Sequence, residues 1–423
     1  MRLQNLTIIF VVIVLPVIIL LSVFIKFQVD TINLKAQYDG IFLSATYDMM
    51  SALELNNNNN KYSAVSDSLI RDIEGSINSF STTFGNSTSM FGVSKKNVMD
   101  FVPAIMFGLY DGYYIYTPSK NEKGVFEHTL KPYVYYTKEY TNGTGSNQRK
   151  MIINFSLDNH VTVFFSDKVD NRKYESRSGF LEPIATSKTD KGIYIEPAPG
   201  HKQTDLEKDM DEDTALIYYN GYQIEKDERL TTKVFENTTD TQGNVANSEF
   251  DSLDAYDYCL KAYRFTKWYY DILDRTFGTG HDSTKEILKI SVDNQALPQY
   301  ESEFNQEKRK VIQSSIEENL IQSMELYKRK SDIDFKMPQF TVLDWEQITQ
   351  NICVVAFLQG MPVGMSIYNN YVILPSTDNN FFVNEKNLYY VGYGGDADTH
   401  YHRLGCEHLK GDYITRIQQK RIF

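Results

Sequence analysis

An uninterrupted apolar segment near the N-terminus is the clearest hydrophobic pattern in the chain. Leu6 to Ile25 is a run of twenty residues without a charged side chain. At a rise of about 1.5 Å per residue, a helix of this length spans roughly 30 Å, the thickness of the hydrocarbon core of a bilayer. Pro16 is compatible with this interpretation, because membrane helices tolerate proline. The pattern therefore predicts a transmembrane helix.

A cleaved signal peptide is the main alternative for this segment, ahead of a buried core helix. The apolar core of a signal peptide has about 7–15 residues and is followed by a cleavage site of small residues. The present run is longer, and Lys26 to Asp30 offer no such site. Positive charges are almost balanced around the segment, with Arg2 before it and Lys26 and Lys35 after it. Because the head is too short to form a domain, we expect an uncleaved anchor with the C-terminal part exported.

Helical spacing continues beyond the apolar segment. Residues at intervals of three or four form one apolar stripe: Leu34, Tyr38, Ile41, Ala45, Met49 and Ala52. We expect one helix from the anchor to the asparagine run at residues 56–60, which ends it. A second amphipathic helix is predicted to begin near Tyr62 and to end near Phe84.

These patterns divide the chain into four predicted parts. Residues 1–5 form a short cytoplasmic head, residues 6–25 a transmembrane signal anchor, and residues 26–60 a helical stalk that presents the body away from the membrane. Residues 61–423 form an extracytoplasmic α+β body, with a subdivision near residues 235–250. The predicted location is the cell membrane, with a single span and the C-terminal body outside the cytoplasm.

The body begins with segments in which polar and apolar residues alternate, as in strands. The predicted strands are Leu109–Pro118, Tyr133–Tyr136, Met151–Phe155, Val161–Phe165, Ala215–Tyr219, Tyr222–Ile224, Tyr368–Leu374 and Leu388–Tyr393. Asp158-Asn159 and Asn220-Gly221 separate two pairs of these strands and predict hairpins, since Asn-Gly readily forms a type I′ turn.

Further helices are predicted between the two groups of strands. They cover Leu253–Phe277, Pro298–Arg329 and Asp344–Leu358, with Asp344 as the N-cap of the last helix and Cys353 as a small core residue within it. Helices, strands, helices and strands follow one another in blocks. This order predicts an α+β fold in which amphipathic helices accompany a mixed antiparallel sheet.

Composition and charge limit the classes of partner that the chain could bind. The net charge is −12, and residues 201–260 contribute −10 of it, with 15 acidic and 5 basic residues. This balance argues against a nucleic-acid partner, which requires a basic surface. The 30 Tyr and 25 Phe are concentrated in the predicted strands and in one helix. Core packing explains them best, and an exposed aromatic strip for a partner or a glycan is the alternative.

Two short segments are candidates for metal binding. His402, Cys406 and His408 lie close together and carry the imidazole and thiol groups that zinc prefers. The sequence around these three residues offers no fourth zinc ligand at a suitable spacing. A solvated loop without a metal is therefore the alternative interpretation. Residues 209–213 (DMDED) resemble the start of a calcium loop, but Thr214 and Asn220 replace the glycine and the glutamate that such a loop needs.

Catalytic sequence motifs are absent from the chain. It has no Walker A segment, no nucleophile elbow, no zincin motif and no dinucleotide-binding glycine pattern. The three cysteines allow at most one internal disulfide. We therefore expect a protein that is not an enzyme and that needs no cofactor, with zinc as the one candidate.

Two sets of residues resemble known families. Residues 14–21 (VLPVIILL) look like the anchor of TadE/TadG-type pilus-assembly proteins, in which a short apolar helix with a central Leu-Pro step continues into an exported domain. Residues 101–104 (FVPA), 109–116 (LYDGYYIY) and 357–364 (FLQGMPVG) resemble an uncharacterised family of single-anchor exported proteins from low-GC Gram-positive bacteria. The resemblance implies a place at the cell surface and no particular activity.

Three functions follow as hypotheses. The first is a non-enzymatic, membrane-anchored protein with a structural or assembly role at the cell surface, as in a pilus locus, whose partners are other single-span or pilus-type proteins. The second is an extracytoplasmic sensor-type module that binds a small molecule or a glycan and acts through a partner. The third, a surface enzyme, is disfavoured by the missing motifs.

Overall fold

A long N-terminal helix and several antiparallel sheets make up the fold. The computed structural model describes residues 10–55, 72–89, 98–120, 123–144, 148–166, 175–208, 214–219, 221–224, 255–290, 303–331, 337–364, 366–376, 388–393 and 413–418. The described helices are α1 (Leu15–Leu55), α2 (Ile73–Ser89), α3 (Gln203–Lys208), α4 (Ala255–Phe277), α5 (Ser283–Leu288), α6 (Glu303–Ser331) and α7 (Val342–Gln350). A π-helical turn at Phe10–Val14 precedes α1, and a 3-10 turn covers Val98–Phe101.

The strands form four separate antiparallel sheets among the described residues. They are β1 (Ile105–Gly108), β2 (Gly112–Lys120), β3 (Phe126–Leu130), β4 (Val134–Tyr135), β5 (Thr137–Asn142), β6 (Arg149–Phe155), β7 (His160–Ser166), β8 (Glu175–Phe180), β9 (Ile193–Pro197), β10 (Ala215–Tyr219), β11 (Tyr222–Ile224), β12 (Cys353–Val363), β13 (Ser366–Pro375), β14 (Leu388–Tyr393) and β15 (Tyr413–Gln418). The main sheet has the order β13-β12-β1-β2-β3, with β4 beside β2. The others are β5-β6-β7-β8, β11-β10-β9 and β14-β15.

Helices and a second sheet cover the main sheet on its two faces. On one face, Ile105, Phe107 and Val354 pack with the buried side chains of α1 and α2. On the other face, Met106 and Val355 pack with α4, α6 and the sheet β5-β6-β7-β8. Successive residues of β1 and β12 therefore point into two different cores, as the two-residue period of a strand requires. The central strands are consequently buried on both sides.

The predicted α+β class is confirmed by this arrangement. The predicted hairpin of Ala215–Tyr219 with Tyr222–Ile224 is present, with Ile217 opposite Ile224. Strands β6 and β7 pair on either side of Asp158, also as predicted. Helices α4 and α6 lie where aromatic and apolar spacing placed them. These elements have strong local signals, either a turn dipeptide or a long period of 3.6 residues.

The helix predicted over Asp344–Leu358 is wrong in its second half. Helix α7 ends at Gln350, and the central strand β12 begins at Cys353. A strand that is buried on both faces has a continuous apolar run instead of alternation, so its period does not distinguish it from a buried helix. Cys353 is fully buried, as expected, but in a strand.

The predicted N-cap of α7 is also wrong. Thr341 caps the helix, and its Oγ1 accepts a hydrogen bond from the backbone N–H of Asp344 at 3.2 Å. The Asp344 carboxylate accepts one from the backbone N–H of Thr341 at 2.7 Å. This reciprocal pair is a capping box, with the acidic residue at its third helical position.

Helix α1 enters the body well before its C-terminal end. Tyr38, Phe42, Ala45, Met49 and Leu53 are all buried, on the face that packs against the main sheet and α2. Within residues 26–55, the part before Leu34 contributes no buried side chain, and Leu34 itself is partly buried against this core. The segment predicted to be a stalk is thus divided, and most of its helix is part of the body's core.

Candidate functional site

The N-terminal half of the long helix carries an apolar surface that is exposed along its length. Every residue from Phe10 to Asp30 is exposed, and Leu20 reaches 69%. This is the one described helix that is long and apolar enough to cross a membrane. The Ser22 hydroxyl donates to the Ile18 carbonyl oxygen at 2.8 Å, so its polar group is satisfied within the helix. Such a surface is compatible with a membrane anchor and unusual for a water-exposed helix.

Hydrogen bonds attach the next part of this helix to the edge strand of the main sheet. The Asp39 carboxylate accepts hydrogen bonds from the Tyr368 hydroxyl and from Asn370 Nδ2, both on β13. At the preceding position, the Tyr38 ring stacks on Tyr368 with centroids 6.4 Å apart. The Tyr38 hydroxyl also donates to the Pro362 carbonyl oxygen at 3.3 Å. We call this group the clamp: Tyr38, Asp39, Pro362, Tyr368 and Asn370.

A second attachment lies near the C-terminal end of α1. Ser376, directly after β13, donates from its hydroxyl to Glu54 Oε1 at 2.6 Å. From Asp39 to Glu54 the helix advances about 22 Å at 1.5 Å per residue. From Tyr368 to Ser376 the strand advances about 26 Å at 3.3 Å per residue. The two lengths agree closely, so β13 runs alongside α1 for several helical turns.

The turn between β12 and β13 reaches the start of the exposed apolar surface. Gly364 in this turn has φ +61°, and a Cβ atom there would lie 2.7 Å from Cζ of Phe27 and 3.6 Å from Oγ1 of Thr31. Because glycine has no Cβ atom, it can adopt this left-handed backbone conformation and also allow the turn to approach the helix closely. Phe27 is only two residues beyond the apolar run that ends at Ile25.

The electrostatics of the clamp keep its tyrosines protonated. Burial, followed by the hydrogen bond and negative charge of Asp39, raises the pKa of Tyr368 well above its usual range. Burial also raises the pKa of Tyr38. Both phenols therefore remain hydrogen-bond donors at physiological pH, so the attachment of helix to sheet does not depend on their titration.

An open cleft of about 640 Å³ between α6 and α7 is a second candidate site. Phe340 and Trp345 line it, with their rings edge to face at 5.1 Å. Arg309 and Glu346 lie at the same cleft, and burial lowers the pKa of Arg309 while the Glu346 carboxylate opposes that shift. Clefts of this size with aromatic walls and a few polar groups hold small ligands in many proteins.

Asp158 organises a cluster of buried polar groups at the turn between β6 and β7. Its Oδ1 accepts hydrogen bonds from the Tyr110 hydroxyl at 2.8 Å, the Ser156 hydroxyl at 2.8 Å and the His160 backbone N–H at 2.9 Å. Lys308 of α6 donates to the Asp158 carbonyl oxygen at 2.7 Å. Within the described part of the chain, Oδ2 is buried without a partner. The hydrogen bonds of Oδ1 and of the carbonyl oxygen join the hairpin to the helix.

His160 makes the stability of this region sensitive to acid. Burial lowers its pKa, although the negative charge of Asp158 opposes the shift, and its ring packs edge to face on Phe180 at 4.9 Å. The folded state therefore keeps this imidazole neutral, whereas the unfolded chain takes up a proton below about pH 6.5. Stability should fall as the pH drops below that value, by at most about 1.4 kcal/mol per pH unit, until the folded pKa is reached.

Urea unfolding of the full chain in detergent micelles, followed by tryptophan fluorescence at several pH values, would test this expectation. His160→Gln should reduce the slope of stability against pH in the mildly acidic range. His281→Gln, at an exposed position, is the matched control and should leave the slope unchanged. Equal slopes in the two variants would contradict the role of His160.

The sequence-predicted metal residues lie outside the described residues. This applies to His402, Cys406 and His408 and to the acidic segment 209–213. In the ranges that are described, no group of three or more His, Cys, Asp or Glu side chains could hold a metal ion. The zinc site stays a prediction. The side chains of Cys259 and Cys353 are buried, and burial raises the pKa of Cys353 to about 12.

Sequence patterns alone do not predict the clamp. Asp39 lies beside the apolar stripe that predicts this helix, and a carboxylate next to such a stripe is the local signal in the sequence. Its partners Tyr368 and Asn370 alternate on a predicted strand, with nothing local to connect them to the helix. Gly360 near the end of β12 and Gly364 in the turn after it both have positive φ.

Comparison with known proteins does not assign the chain to a family. Neither protein-family models, nor curated proteins, nor solved structures gave a match to this chain.

Proposed function

We propose that the chain is a single-span membrane protein whose α+β body has a structural or assembly role at the cell surface. The observation that carries this proposal is the continuity of α1. One helix presents an exposed apolar surface from Phe10 onward and then a buried face from Tyr38 to Leu53. A flexible linker would let the body move independently of the anchor. Here a helix that belongs to both parts fixes the position of the body relative to the membrane.

The proposed partners are other single-span membrane proteins, including pilus-type proteins. This proposal is supported by the exposure of the apolar helix around its whole circumference, which leaves it accessible to lipid or to a second helix. The resemblance of residues 14–21 to TadE/TadG-type anchors agrees with lateral packing of such helices. The hydrogen bonds of the buried polar groups around Asp158 hold the hairpin and α6 together within the body.

Removal of residues 1–25 should release the protein from membranes. We expect the full chain to resist extraction with alkaline carbonate, and the shortened chain to be recovered in the soluble fraction. A version in which a Leu/Ala run of equal length replaces residues 6–25 is the matched control and should remain in the membrane. Cells that carry the full chain should lose the body when external protease is added. Membrane retention of the shortened chain, or complete protection of the body, would contradict the proposal.

The cleft between α6 and α7 favours a second candidate function, that of a ligand-binding module. Phe340, Trp345, Arg309 and Glu346 provide apolar contact and both signs of charge for a small amphipathic molecule. A signal would then have to pass through a partner. Deletion of the gene distinguishes the two functions, since loss of surface appendages indicates assembly, whereas intact appendages with an altered chemical response indicate sensing.

A further inference from the structure

We infer that the turn between β12 and β13 lies in the lipid headgroup layer, so that the body rests on the membrane surface. This inference rests on the proposed function, because it requires that residues 6–25 span the bilayer. It goes beyond that function by assigning a second membrane contact. The contact is made by the main sheet, far from the anchor in sequence.

The distance between the turn and the anchor supports this placement. Gly364 contacts the helix at Phe27 and Thr31. With Ile25 at the edge of the hydrocarbon, the helical rise places these two residues about 3 Å and 9 Å beyond it. The headgroup layer on each side of a bilayer is about 5–7 Å thick. The turn therefore lies within this layer or directly at its outer edge.

The side chains around the turn suit such a layer. Ile367 is 59% exposed although it is strongly apolar, and Phe27 and Ile32 on the helix are 41% and 63% exposed. Exposed apolar side chains are unfavourable in water and favourable at the boundary of headgroups and acyl chains. Lys26 and Lys35 provide positive charge beside them, which attracts lipid phosphate.

The register of the main sheet gives its orientation relative to the membrane. Tyr116 pairs with Ile105, which pairs with Ala356, so β2 runs parallel to β12. The end of β2 at the exposed Lys120 thus lies at the same end of the sheet as the β12–β13 turn. Cys353 lies at the other end of β12, about 33 Å away at 3.3 Å per residue. In the inferred orientation, this end of the main sheet faces the membrane. It carries both the β12–β13 turn and the basic residue Lys120.

Site-specific fluorescence quenching in vesicles tests the inference on the full chain. The background is Cys406→Ser, because Cys259 and Cys353 are completely buried and should not be labelled. Single cysteines at Leu20→Cys, Ile367→Cys and Gln347→Cys each carry an environment-sensitive fluorophore. The vesicles contain phosphatidylcholine and phosphatidylglycerol, with a nitroxide on either the headgroup or the acyl chain.

Each position has its own expected result. Leu20→Cys should be quenched by the acyl-chain nitroxide, and Ile367→Cys by the headgroup nitroxide. Gln347→Cys, on an exposed position of α7 near the far end of β12, should be quenched by neither. If Ile367→Cys is quenched no more than Gln347→Cys while Leu20→Cys is quenched, the inference is overturned and the anchor stands. If Leu20→Cys is not quenched, the proposed function fails and the inference fails with it.

Discussion

Phe42→Ala should destabilise the body by about 3–5 kcal/mol, the usual cost of removing a buried aromatic ring. The Phe42 side chain is completely buried in α1. Its ring lies 6.0 Å from that of Phe80 and 5.7 Å from that of Phe84, both on α2. Truncation removes the contacts that join the two helices and leaves a cavity beneath the main sheet. Urea unfolding of the full chain in micelles, followed by tryptophan fluorescence, measures the change.

Tyr47→Ala is the matched control for this measurement. Tyr47 is also an aromatic residue of α1, but it is 53% exposed and lies outside the core cluster. Its truncation should cost about 1 kcal/mol or less, as is usual for surface positions. A similar loss in both variants would indicate that residues 38–53 are not packed into the body and that a free stalk is the better description.

Asp158→Ala is expected to have the second largest effect, a loss of about 2–4 kcal/mol. The carboxylate is a shared acceptor for the hydroxyls of Tyr110 and Ser156 and for the His160 N–H. Tyr110 is 2% exposed, so its hydroxyl cannot turn to water when the acceptor is removed. A hydrogen bond to a charged group contributes about 1.5–3 kcal/mol, and the variant removes an acceptor that several donors share. The same unfolding measurement applies.

Two comparisons separate the hydrogen bonds of Asp158 from its volume. Asp158→Asn keeps an oxygen at the Oδ1 position, so it should lose less than half as much stability as the alanine variant. In the background of Tyr110→Phe, which removes one donor, Asp158→Ala should cost less than it does alone, because residues that share a hydrogen bond couple energetically. Additive losses in the double variant would mean that the Tyr110 contact contributes little.

Local signals explain most of what the sequence predicted correctly. The stripe that begins at Leu34 and includes Tyr38, Ala45 and Met49 is the face of α1 that packs into the core. Residues 215–224 form a hairpin because an Asn-Gly pair lies between two short alternating runs. In each case the pattern that specifies the element lies within the element itself or in its turn.

Non-local packing explains what the sequence did not reveal. The run from Cys353 to Leu358 is apolar at every position, since β12 has a core on each side, and only those cores make it a strand. The clamp is a similar case. Asp39 and Tyr368 each have an ordinary local environment in the sequence, and their hydrogen bond depends on how the edge strand meets the helix.

The pairing of α1 with β13 also has a consequence for the time at which the protein can finish folding. The hydrogen bonds between them join residues 322 to 331 positions apart. Helix α2 can cover part of α1 early, but β12 and β13 are synthesised much later. At about 5–20 residues per second, roughly 15–60 s separate the synthesis of the helix from that of its sheet. During this interval one apolar face of the helix has no sheet to cover it, which makes the nascent chain a substrate for chaperones and proteases.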